Sequence, residues 1–283
     1  MDRRKVEEGI FKFLMLASAF TILSLLALIM TTVIVKGLPA MSFAMITQTP
    51  KGGYYLGKEG GILNAIIGSL YLAGGATLLA FSLALPVVLY LNAYARRSSL
   101  LAAFTRFSFD VLWGIPSIVY GAFGFTVMLF FGLGASLLGG IITVALLILP
   151  VMARAMDEVM RLVPADLTEA SYALGATRLE TSLKVLVRQA LPGIATAVLL
   201  AFGRGIGDAA SVLFTAGFSD SIPSSLFRPA ATLPLAIFFQ MGTPFPEVQE
   251  RAYASAFILT ALILVISVAA RLLAAKYARH VVR

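Results

Sequence analysis

The sequence predicts an all-α integral membrane protein: six transmembrane helices forming one domain over residues 1–283, with both termini in the cytoplasm. Composition is the first reason. Hydrophobic residues make up 59% of the chain and charged residues 13%, against about 25% charged in a typical soluble domain, and the mean hydropathy is +0.93. Such a chain needs lipid as its solvent. The second reason is length, because six apolar runs approach or exceed the roughly 20 residues that cross a bilayer as a helix. The third is the placement of Lys and Arg. Sixteen of the 22 basic residues fall in the N-terminus, the 96–106 loop, the 154–192 loop and the C-terminal tail, and the positive-inside rule assigns those segments to the cytoplasm.

The first run, 13–35, follows Arg3, Arg4 and Lys5. It is too long for a signal-peptide core and no small-x-small cleavage site follows it closely, so it reads as a retained span. The second lies within 62–94, long enough to include a flanking helix and interrupted by Pro86. The third, 107–131, contains Pro116, and a very short glycine-containing turn leads to the fourth, 134–153. The fifth is 193–217 and the sixth 252–273. Of the two sizeable outer loops, 36–60 and 218–250, the second contains Pro223, Pro229, Pro234, Pro244 and Pro246, which rule out one regular helix. Its apolar stretch 232–241 reads as lying at the membrane surface.

Several function classes are set aside at this level. With no cysteine and a single histidine, His280, near the C-terminal end, disulfides and thiolate metal sites are excluded and a histidine-based site in the membrane is not expected. Basic cytoplasmic loops account for the net charge of +8 without nucleic acid. Gly52, Gly57 and Lys58 imitate a phosphate-binding P-loop, but Glu59 stands where a Ser or Thr should hold magnesium, and no strand–helix context surrounds it. The chain is therefore not expected to hydrolyse ATP or to carry a cofactor or metal of its own. A Gly-x-Ser-x-Gly nucleophile elbow is also missing. An intramembrane enzyme or an assembly scaffold stands as the alternative to transport.

The 154–192 loop is the most informative stretch. Pro164 suits a first helical position and Asp166 favours the positive end of a helix. Leu167, Ala170, Ser171 and Leu174 recur at i, i+3, i+4 and i+7 and so share one face. Gly175 fits a left-handed helix cap, and Thr177 with Glu180 has capping-box spacing for a second helix. The loop thus reads as two short helices broken at a glycine. One interpretation is an ordinary helix–turn–helix; the other is a docking element. Glu169-Ala170-Ser171, three residues, then Gly175 resembles the EAA motif of ABC importer permeases, in which this helix docks on the ATPase subunit. The Ile-x-Leu-Pro that usually ends the motif is replaced by Val185, Leu186, Val187 and Arg188, with a Leu-Pro pair following at Leu191–Pro192.

Arg204 is the twelfth residue of the fifth run, roughly 16 Å along it at about 1.5 Å per residue, near the middle of a ~30 Å core. A central arginine costs about 2.5–3.5 kcal/mol to insert, so it should face protein or water. Asp208, four residues on, can compensate it along one helix face. The pair reads either as a structural salt bridge or as an anion site, since guanidinium donors suit phosphate oxygens. Gly203 and Gly207 have the spacing of a helix-packing motif. In the third run, Pro116 frees a helical carbonyl, leaving Ser117 either beside a simple kink or on a pathway.

Four segments carry a closer resemblance. Gly203-Arg-Gly-Ile-Gly-Asp-Ala-Ala is similar to the Gly-Arg-Ala-Ile-Gly-Glu-Thr segment of phosphate permeases, with Asp208 in place of the glutamate. Gly114-Ile-Pro-Ser-Ile-Val-Tyr-Gly121 resembles the same family. The segments beginning at Gly60 and Thr232 lean towards its PstA type over PstC. The resemblance spans about 60–275. It implies a type I ABC importer permease fold and a subunit of an inorganic phosphate importer in a prokaryotic inner membrane. Its partners would be a PstC-like sister permease, a PstB-like ATPase dimer carrying ATP and Mg, and an extracytoplasmic PstS-like binding protein. Arg204, Asp208 and Ser117 would line the substrate pathway, and Glu169, Ala170, Ser171, Leu174 and Gly175 would couple to the ATPase. Sulfate or molybdate remains an alternative anion, and a second copy of the chain an alternative to the sister permease.

Overall fold

The computed structural model describes residues 3–51, 59–96 and 99–278. The P-loop-like Gly52–Lys58 stretch and His280 lie outside them. Helix α1 (Arg3–Gly37) leads to a short α2 (Phe43–Thr47) and a two-residue antiparallel pair, β1 (Pro50–Lys51) with β2 (Glu59–Gly60). Helix α3 (Leu63–Leu89) runs straight through Pro86 and ends in a π turn, Tyr90–Tyr94. Next come α4 (Leu100–Trp113), α5 (Ser117–Phe130) and α6 (Leu137–Arg161). The cytoplasmic loop holds α7 (Ala165–Ala173) and α8 (Arg178–Thr181), and a second π turn, Ser182–Leu186, leads into α9 (Val187–Gly207). The chain closes with α10 (Leu233–Met241) and α11 (Pro246–Ala278). Five helical segments are long and apolar enough to cross a membrane, and six if the α4–α5 pair counts as one.

The centre of the bundle is α3, α6 and α9. Leu72, Ala76, Ala80, Ala84 and Val88 of α3 recur every fourth residue and are all buried. They pack in one cluster with Val144, Ile148 and Met152 of α6 and Ala197 and Ala201 of α9. Lipid tails are as apolar as a protein interior, so helices associate in a bilayer by close packing, and a stripe of small side chains permits it. In contrast, α1 leaves almost every residue before Met30 exposed; its apolar surface meets lipid or another subunit.

Three sequence expectations are corrected. The third span is not a kinked rod: α4 begins at Leu100, and α4 and α5 meet at 101° across Gly114–Pro116. Pro116 is extended (φ −58°, ψ 140°) and caps α5, which turns the chain instead of merely bending it. The fifth span does not reach residue 217. It starts earlier, at Arg178, and its helix stops at Gly207. The 232–241 stretch does not lie on the membrane surface: Leu233, Leu235 and Ala236 are fully buried, and the Leu233 amide donates to Ser69 Oγ of α3 at 2.8 Å. Thr232 caps this helix by accepting from the Leu235 amide. The outer loop is thus inserted into the bundle, where its apolar residues complete a second core cluster with Met45, Ile62 and Ala254.

Candidate functional site: an exposed arginine at a helix end and a capped two-helix loop

Depth is set by packing. A Cβ on Gly205 would sit 3.1 Å from Val144 and 3.5 Å from Ile148. Both lie near the middle of the 25-residue α6, so the neighbouring Arg204 stands level with the middle of that helix. Arg204 is exposed in the isolated chain, and it forms no hydrogen bond or ion pair with any described residue. It lies in the last turn of α9, where the carbonyl end of the helix carries roughly half a negative charge. That end, not a carboxylate, provides its local compensation.

Asp208 does not share a helix face with Arg204. It is the residue after α9, in an extended conformation (φ −85°, ψ 121°), and its Oδ2 accepts the Ser211 amide at 2.8 Å. The carboxylate therefore starts the next turn instead of holding the guanidinium. Gly203 and Gly207 also depart from expectation, because a Cβ on either would meet nothing within 4 Å. Among the described residues no other helix packs against them. Together with Arg204 they leave a stretch of α9 surface open.

Ser117 opens α5 and is half-buried. Gly121, four residues on, is pressed against the segment after α9: a Cβ there would lie 2.9 Å from both Ala210 O and Ser211 O. Only glycine permits this approach. Tyr120 donates its hydroxyl to Leu112 O at 2.8 Å, bridging the bend, and it lies within electrostatic reach of Arg204. The structure therefore brings the two helix breaks, after Gly207 and before Ser117, to one place. Broken backbone at this depth is tolerated where it is buried in protein or lines a water-filled cavity.

In the cytoplasmic loop, α7 closes in a Schellman cap. Gly175 has φ +82°, and Ala176 N bonds Ser171 O while Gly175 N bonds Tyr172 O, the paired pattern that a left-handed glycine makes available. Thr177 and Glu180 form a complete capping box at the start of α8. The expected single face of α7 is divided. Ser171 turns inward, its Oγ 2.9 Å from the buried Thr181 Oγ1, and Leu167 is half-buried. Glu169, Ala170 and Gly175 are exposed, and Leu174 is 89% exposed. Leu162 and Leu179 are also exposed, so the loop carries several uncovered apolar side chains, which mark a protein interface where they are contiguous.

A second polar centre was not visible in the sequence. The Asp157 carboxylate is fully buried near the cytoplasmic end of α6. Arg106 of α4 meets it with both arms, Nε to Oδ2 at 2.9 Å and Nη2 to Oδ1 at 3.2 Å. Asn92 of the first π turn donates to Oδ1 at 2.8 Å, and Arg161 Nε stands 3.2 Å from Oδ2. An aspartate in an apolar helix was the available signal, since it demands a partner.

Residues 90–282 match the family described as "Binding-protein-dependent transport system inner membrane component". The chain belongs to this family. Within it, the relatives include PstA proteins. The phosphate transport system permease protein PstA of Haemophilus influenzae is 35% identical over 86% of this chain and 85% of its own length. That of Pasteurella multocida is 34% identical over 95% of both. In fold, the chain resembles a bacterial alginate ABC transporter solved with an alginate pentasaccharide-bound periplasmic protein, at a TM-score of 0.66 and 14% identity over 98% of this chain and 97% of that one. Membership makes the chain a multi-pass permease component of an ABC importer, and it places the exposed α7 loop and the Arg204 face in a protein that works as part of a complex.

Proposed function

We propose that this chain is the PstA-type permease subunit of an ATP-driven importer of inorganic phosphate in a prokaryotic inner membrane. The observation that carries this reading is the similarity to PstA permeases over most of the chain, and Arg204 supports it: level with the middle of α6, exposed in the isolated chain and without a hydrogen bond or ion pair among the described residues. A guanidinium left facing lipid costs at least about 2.5–3.5 kcal/mol. In the assembled importer it faces the route shared with a PstC-like sister permease, where its fixed donors meet phosphate oxygens. The open Gly203 and Gly207 surface leaves room there for the solute or the sister chain. A PstB-like ATPase dimer, carrying ATP and Mg, docks on Glu169, Ala170, Leu174 and Gly175, with Ser171 holding α7 on α8 behind them. A PstS-like binding protein delivers phosphate from outside. The chain itself performs no hydrolysis.

The test is reconstitution. The chain is purified with its sister permease and ATPase into proteoliposomes and supplied with the binding protein. Phosphate is expected to stimulate ATP hydrolysis in the full complex and to accumulate inside. Stimulation by sulfate or molybdate but not by phosphate would reassign the substrate. Absence of any associated ATPase would remove the importer reading.

A further inference from the structure

Resting on the importer reading, we propose that Asp157 is a positioning residue: the joint through which movement of the docking helix α7 reaches the half-helix α4 and the break before Ser117. Four observations place it there. The carboxylate is fully buried yet receives Arg106, Asn92 and Arg161 together. Arg161 is the last residue of α6, and α7 begins four residues later. A pull on α7 is therefore felt first at an arm of this cluster.

The second observation is a ladder between α4 and α6. Arg106 of α4 pairs with Asp157 of α6, and one turn further along α4, Asp110 pairs with Arg154 at 3.3 Å. The order of charge reverses from one rung to the next, so sliding α4 along α6 by a turn would set like charges against each other. The inner rung, buried and bidentate, is the strong one. The outer rung, with Asp110 half-exposed, adds register more than energy. Arg106 and Asp110 then lead directly along α4 to the 101° bend.

Third, the cluster holds an irregular turn of α3. The π turn Tyr90–Tyr94 makes the wide bond Ala95 N to Tyr90 O, and the carbonyls around it are met by side chains: Asn92 Nδ2 donates to Val88 O at 2.9 Å and Arg106 Nη2 to Leu91 O at 3.4 Å. π turns recur at functional positions because they store an alternative helical register. Fourth, stability alone does not call for the cluster. A buried ion pair seldom outperforms apolar packing of the same volume. What a bidentate fork adds is orientation, so three helices turn as one at this point.

The experiment uses the reconstituted full complex and reads phosphate transported per ATP hydrolysed. Two variants are compared. Arg106→Lys keeps the charge but loses the fork. The double variant Arg106→Gln with Asp157→Asn removes both charges of the buried fork, leaving only the exposed Arg161 without its carboxylate. Each is expected to assemble and hydrolyse ATP, with phosphate per ATP lower by roughly tenfold, the size of a typical coupling effect. Wild-type stoichiometry in the double variant would overturn the proposal. So would a double variant that fails to assemble while Arg106→Lys couples normally, since the cluster would then serve folding alone. If the wild-type complex itself shows no phosphate-dependent hydrolysis, the importer reading fails instead, independently of these variants.

Discussion

Replacing Arg204 with Gln is expected to abolish phosphate uptake, by roughly a hundredfold or more, corresponding to about 3 kcal/mol of lost charge-assisted binding. Assembly of the complex should be unaffected. The reasoning separates two roles the residue might have been given. A structural arginine would need a partner whose loss is felt in the fold, and Arg204 has none among the described residues. Glutamine is shorter by little and is cheaper to insert in a membrane than arginine, so the helix loses nothing that held it. What is lost is a permanent charge with fixed donors on the exposed face of α9. Uptake by proteoliposomes and the yield of complex after affinity purification measure the two effects separately. Near-normal uptake would reduce Arg204 to a residue tolerated by the assembly.

The second large effect is expected at Gly175. Gly175→Leu should assemble poorly with the ATPase or hydrolyse ATP without transport, whereas Gly175→Ala should remain coupled. Both variants bear the same backbone strain, about 1–2 kcal/mol for an L-residue in the left-handed region at φ +82°. They differ only in bulk. In the isolated chain a Cβ at Gly175 meets nothing within 4 Å, so alanine adds no contact there, whereas leucine projects further into the space that a docked subunit would occupy. The adjoining Leu174, 89% exposed, needs such a cover. Equal coupling in the two variants would mean that the cap faces water in the complex. The measurement is ATP hydrolysed per phosphate transported, alongside thermal stability to confirm that the strain is common to both.

Much of this architecture was legible because it follows from periodicity and length. The apolar runs marked the spanning helices, and Pro164, Gly175, Thr177 and Glu180 marked the caps of the cytoplasmic loop by chemistry local to each turn. The depth of Arg204 was counted on a span beginning at residue 193, but the helical segment begins at Arg178 and ends at Gly207, so the level of this residue rests on the packing of Gly205 beside Val144 and Ile148 instead. Errors arose where a local signal has two tertiary outcomes. Pro116 announces a break but not its angle. The 232–241 stretch has the same composition whether it floats on the membrane or is inserted against Ser69 and Met45. Asp208 was assigned to the face of Arg204 on the premise of a continuous helix, which Gly203, Gly205 and Gly207 undermine and which ends at Gly207. The Asp157 cluster was out of reach for a different reason. Apart from Arg161, its partners stand 51 and 65 positions away, and one sits on a π turn that shifts the helical register.

The most direct measurement exploits the absence of cysteine in this chain. Arg204→Cys and the buried control Ala201→Cys are placed one at a time in the assembled importer, whose other subunits are also freed of cysteine. Each is treated with a charged, water-soluble thiol reagent with and without ATP. The account predicts that the thiol at position 204 reacts in at least one nucleotide state and is protected by phosphate, while that at 201 stays inert. A position 204 that never reacts, in any state, would contradict it.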